Sequence, residues 1–149
     1  MKLLAIDPGT TQSGWVNYCG GRIYGSGVMD NDLLLHHIAT PDWADTLAIE
    51  RFEARGMAIG DESVVTVLWT GRFWQAWADQ SSVLLVKRSE VKSYLCGTTR
   101  AKDTNVRTAL IDLLGEKGTK AAPGPLYGMS SHAWSALAVA VTATKAAGA

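Results

Sequence analysis

The chain has 149 residues, 47% hydrophobic and 19% charged, which suits one domain, 1–149, with a sizeable core, and excludes a disordered chain. Formal net charge is zero, which argues mildly against a nucleic-acid partner, yet residues 1–86 carry five Lys/Arg against ten Asp/Glu while 87–120 carry eight against four, and that basic third hints at an anionic partner. No apolar run reaches the roughly 18 residues of a membrane helix, the N-terminus lacks a signal-peptide pattern, and Cys19 and Cys96 are too few for a disulfide framework or a Cys-based zinc site, so the expectation is a cytoplasmic protein with two buried free thiols and no membrane partner.

Lys2–Asp7 predicts a buried strand that ends on a carboxylate and turns at once through Pro8-Gly9. Asp7 either caps that turn or places a negative charge at the mouth of a sheet. Gly14–Tyr18 and Arg22–Met29 predict two further strands, joined through Cys19-Gly20-Gly21 by a tight hairpin. Asp30 can cap a short helix through Ile38, where His36 and His37 read as surface residues. Asp45–Phe52 predicts a fourth strand with Glu50 after its apolar centre.

A long helix starts at Asp61-Glu62-Ser63 and runs to about Asp79, with Val64, Val67, Leu68, Phe73 (or Trp74) and Trp77 spaced as an apolar face. Its Trp residues read as core or subunit contacts. Val83–Lys87 predicts a fifth strand, and Ser89 is expected to cap a short helix that Gly97 ends. Lys102–Leu114 predicts a helix ended by Gly115, a Gly- and Pro-rich loop follows, and Ser130 or Ser131 caps a last, Ala-rich helix that frays at Gly148. Three antiparallel strands followed by parallel crossovers imply an α/β fold, a five-stranded mixed sheet flanked by helices.

If the first and fourth strands are parallel neighbours, Asp7 and Glu50 lie side by side at the carboxyl edge, where open α/β sheets bind ligands. Two carboxylates that close repel unless a proton or a cation lies between them, and hard oxygen donors suit Mg²⁺ or Mn²⁺. The alternative for Glu50 is a strand-end charge paired with Arg51 or Arg55. A lone His132 in the first turn of the last helix is either structural or a third ligand aimed at the same edge.

Four ordered segments carry a resemblance. "LAIDPGTTQSGW", "LAIERFEARGM", "VKSYLCGTTRAKDTNVRTALID" and "SSHAWSALAVAVT" are similar to the first strand and turn, second acidic strand, lysine-bearing segment and last helix of the RuvC family of Holliday junction resolvases, of the ribonuclease H-like superfamily. The match spans nearly the whole chain and looks closest to the small versions carried by phages and prophages. "IDPGTT" also resembles the phosphate hairpin of sugar kinases and actin-like ATPases, but those need two such domains and a further glycine-rich loop, and no such loop is evident here.

The resemblance implies a ribonuclease H-like fold and metal-dependent endonucleolytic hydrolysis of DNA four-way junctions. The alternatives within it are a less selective nuclease for branched or flapped DNA and a catalytically weak DNA-binding module. Asp7, Glu50 and His132 would match metal ligands for two Mg²⁺ or Mn²⁺ ions, with Asp7 shared. Lys102, and with a poorer match Lys92, would match lysines near the scissile phosphate, and Arg100 and Arg107 would hold flanking phosphates. Ser135 departs from the pattern, standing where a final Asp is expected; Asp103 or Ser131 could help complete the site. A junction presents two symmetric scissile strands, so a homodimer through helix 62–79 is expected.

Overall fold

The computed structural model describes residues 1–148; Ala149, the end of the Ala-rich segment, lies outside the described residues. Strand β1 (Leu3–Asp7) is central, flanked by β2 (Gln12–Cys19), β3 (Arg22–Asp30), β4 (Thr46–Arg51) and β5 (Leu84–Lys87) in the order β3-β2-β1-β4-β5. β1, β2 and β3 pair antiparallel, while β1–β4 and β4–β5 pair parallel. Gly20 and Gly21, at φ 57° and 81°, make the β2–β3 turn, a left-handed pair that suits a two-residue hairpin. The mixed sheet and its chain order agree with the expected α/β architecture.

Helices cover both faces. On one lie α1 (Asn31–Ala39) and α2 (Asp61–Ala76); on the other α5 (Ser131–Ala146), with α3 (Arg88–Cys96) and α4 (Asp103–Leu114) packed beside it. Alternation along β1 decides the faces: Leu3 and Ala5 join the α5 core, Leu4 and Ile6 the α1–α2 core. Ten residues of α5 between Ala133 and Ala143 are buried, and their small Ala side chains let the helix lie close on the sheet. Among the described residues no helix is long and apolar enough to cross a membrane.

Three local expectations are corrected. Asp30, Ser89 and Ser130 do not cap helices with their side chains, although Ser130 holds the N-cap position of α5, and Ser131 is the first residue of α5. Asp30 ends β3 and accepts from Gln12 Nε2 at 3.2 Å, while Ser89 lies inside α3, its N–H donating to Glu53 Oε1 at 2.9 Å. Helix α2 ends at Ala76, and its apolar residues divide: Phe73 and Trp77 enter the core, but Val64, Val67 and Leu68 face solvent with Trp74 half-exposed. Both cysteines are unpaired and half-buried rather than fully buried.

Candidate active site

Parallel pairing of β1 with β4 runs to Ile6 opposite Ile49, so Asp7 and Glu50 follow as the next residues on both strands. Ile6 and Ile49 face the α1–α2 core, so alternation turns Asp7 and Glu50 together toward the α5 face. Their side chains keep only 16% and 14% of their surface exposed. Burial first, then the hydrogen bond and charge of Asp7, hold Glu50 well above the usual carboxylate range, against the opposing pull of Arg88. Glu50 therefore pairs with neither Arg51 nor Arg55 among the described ion pairs; its partner is Arg88.

The turn after Asp7 is fixed by a closed set of hydrogen bonds. Gly9 N–H donates to Ser13 Oγ (3.1 Å), Ser13 Oγ–H to Asn31 Oδ1 (2.5 Å), and Asn31 Nδ2 back to the Gly9 carbonyl (2.9 Å). Ser13 and Asn31 are each only 1% exposed, so the network is satisfied inside the protein and ties the turn to the start of α1. Short polar residues at these positions give no periodic signal in the sequence.

Gly14 pairs with Asp7 across β1–β2 and faces α5. A Cβ there would collide with the carbonyl of His132. The glycine thus lets the first turn of α5 reach the sheet edge, and His132 Nδ1 comes to 3.8 Å from Asp7 Oδ2. The His132 side chain is 65% exposed, so the ring can rotate.

Beyond His132 opens a cleft of about 190 Å³, lined by Arg88, Asp103, Arg107, Ser131, His132 and Ser135, with Val106 and Trp134 as its apolar part. Arg107 lies over the Trp134 ring at 5.7 Å, which steers its guanidinium along the cleft wall. Ser135 shares the His132 face of α5, as i, i+3 spacing requires, and places a neutral hydroxyl there.

The structure therefore brings Asp7 beside Glu50 and His132 beside Asp7, with Arg107 on the adjoining cleft. Lys102 stands exposed at the N-cap of α4, its N–H donating to Asn105 Oδ1 at 2.9 Å, one residue from the cleft-lining Asp103. Lys92, half-buried in α3, and Arg100, exposed in the α3–α4 turn, do not line the cleft. Arg88 was missed as a site residue. It directly follows β5, the third parallel strand to end at this edge, and that position was the available signal.

Two carboxylates and an imidazole are donors that a hard or borderline divalent cation accepts, so the donor set fits Mg²⁺ or Mn²⁺. It is not gathered as a cage: among the described residues no three His, Cys, Asp or Glu side chains stand close enough to hold a metal ion. The Arg88 guanidinium lies against Glu50 instead, at 3.4 Å.

No protein-family model and no curated protein matches the chain. Solved structures do. A Thermus thermophilus RuvC in complex with a Holliday junction substrate superposes with a TM-score of 0.68 at 24% identity, covering 95% of this chain and 92% of that one. Another Thermus thermophilus RuvC structure gives 0.65 at 22% identity, covering 99% and 97%. The chain has the RuvC fold over nearly its whole length, as its four motifs led one to expect.

Proposed function

We propose that the chain is a metal-dependent, structure-specific endodeoxyribonuclease that hydrolyses phosphodiester bonds in four-way DNA junctions. The observation that carries the reading is the meeting of Asp7 and Glu50 on adjacent parallel strands, beneath His132 and beside a basic cleft. The RuvC fold supports it, since a neighbour with that fold was solved on a Holliday junction.

Asp7, Glu50 and His132 would hold the divalent cations, Mg²⁺ or Mn²⁺, two per site. Bound there, such ions would supply an activated water and stabilise charge on the leaving oxygen. The protein's own groups orient the DNA. Arg107 meets a backbone phosphate along the cleft, and Lys102 adds positive charge at the N-terminus of α4, where free backbone N–H groups also favour an anion. Lys92 and Arg100 lie outside the cleft and would serve only more distant phosphates. His132 would ligate through a neutral imidazole nitrogen.

The exposed face of α2 supports a homodimer: Val64, Val67 and Leu68 are 47%, 47% and 62% exposed and share one side of the helix. A two-fold dimer would present two such sites to two symmetric strands. Ser135 on the cleft favours a second reading, a catalytically weak junction-binding module, because a neutral hydroxyl stands where a carboxylate would strengthen cation binding.

The test is cleavage of a synthetic four-way junction beside duplex, flap and single-stranded controls, with Mg²⁺ and with Mn²⁺. Cleavage confined to the junction, and faster with Mn²⁺ because of the imidazole donor, is the expected result. Equal cleavage of the flap would make the enzyme a general branched-DNA nuclease. Binding with no cleavage in either metal would favour the weak module.

A further inference from the structure

The cation set against the carboxylate pair belongs to the chain. Arg88 Nη1 lies 3.4 Å from Glu50 Oε1, and Nη2 is hydrogen-bonded to Asp103 Oδ1. One guanidinium thus joins β4 to α4, using the fork of donors that only arginine offers. The backbone beneath it is fixed, since Ser89 N–H donates to Glu53 Oε1 at 2.9 Å and Lys87 N–H to Glu90 Oε1 at 3.4 Å. The side chain is not fixed in the same way. It is 28% exposed, spans several rotatable bonds and lies on the cleft wall shared with Arg107 and His132.

A divalent cation on Asp7 and Glu50 would repel this guanidinium at close range. Asp103 offers it a second, solvent-exposed carboxylate on the cleft side, away from the sheet edge. We infer that Arg88 is a positioning residue that occupies Glu50 before a metal binds, and that Asp103 retains it when the metal takes the carboxylates. The inference rests on the metal-site reading proposed above. It makes Arg88 a built-in competitor of the metal, and Asp103 the group that weakens the competition. Once moved, the guanidinium faces the cleft beside Arg107, so metal binding and phosphate binding become linked, each favouring the other.

The test is Mn²⁺ binding to DNA-free protein, followed by electron paramagnetic resonance of the free ion. The variants are Asp7→Asn, Arg88→Gln, Arg88→Lys, Asp103→Asn and the Arg88→Gln/Asp103→Asn pair. Asp7→Asn should lose the site. Arg88→Gln should bind Mn²⁺ at least tenfold more tightly, and Arg88→Lys, which keeps the charge but not the fork, should fall between it and the wild type. Asp103→Asn should bind at least threefold more weakly, because Arg88 then stays on Glu50. In the Arg88→Gln background the Asp103 substitution should change affinity less than twofold, since its effect acts through the arginine. With Ca²⁺ in place of the catalytic ion, junction binding should tighten in the wild type and tighten less in Arg88→Gln. Equal Mn²⁺ affinity in wild type and Arg88→Gln, with the site still lost in Asp7→Asn, would overturn the role of Arg88 and leave the metal site standing. An undiminished Asp103 effect in the Arg88→Gln background would also overturn it. Mn²⁺ binding untouched by Asp7→Asn would overturn the metal-site reading itself.

Discussion

Replacing Gly14 by Ala tests the geometry without removing any polar group. The added Cβ would overlap the carbonyl oxygen and carbon of His132 and sit 3.0 Å from its Cβ. The obstacle is backbone, so no rotamer change relieves it. Helix α5 must withdraw, yet Ala133, Ala136, Leu137 and Ala140 pack it with no exposed surface. Overpacking of this kind costs about 1–3 kcal/mol. For a chain of this size that lowers the melting temperature by roughly 2–12 °C. The same withdrawal carries His132 away from Asp7, now at 3.8 Å. A displacement on the order of 1 Å in a catalytic group can cost roughly 100-fold in rate. Thermal denaturation and single-turnover junction cleavage, both on the full chain, measure the two effects. A Gly14→Ala protein that melts and cleaves like the wild type would refute the placement of α5 against the β1–β2 edge.

Glu50 holds its proton into a raised range in the metal-free protein, so the folded state binds more protons than the unfolded one there. Stability in chelator should therefore fall as pH rises above the ordinary carboxylate range, by at most about 1.4 kcal/mol per pH unit, and the difference between wild type and Glu50→Gln across pH 4.5–8 isolates the effect; a flat difference would contradict the burial of Glu50. Arg107→Ala should lower the log–log salt slope of junction binding by roughly 0.9 for each phosphate that the arginine no longer neutralises, and an unchanged slope would place the DNA outside the cleft. Val67→Glu on the exposed face of α2 should turn a dimer into a monomer in sedimentation, whereas a wild-type protein that is monomeric with and without DNA would remove the proposed dimer.

Much of the fold is legible in the sequence because its signals are local. The Gly20-Gly21 turn, the apolar run of β1 and the glycine stops at Gly97 and Gly115 each act within a few residues. The meeting of Asp7 and Glu50 is legible for a different reason: parallel neighbouring strands of similar length must end at one edge. Polar side chains whose partners are distant in sequence are not. Ser13 meets Asn31 across 18 positions, and Arg88 meets Glu50 across 38. Ser89 looks like a cap from its neighbours, but its N–H is held by Glu53, 36 residues earlier. The helical period of α2 is plain in the sequence, yet period alone does not say which apolar side chains face the sheet and which face outward.

The most direct measurement of the central claim compares Asp7→Asn and Glu50→Gln with the wild type on one four-way junction, scoring cleavage in Mn²⁺ and binding in chelator. Both substitutions keep shape and remove a negative charge from the proposed cation site. Cleavage should fall below detection in each variant while the junction is bound as tightly as before or more tightly. Cleavage at the wild-type rate by either variant would contradict a catalytic site built on these two carboxylates.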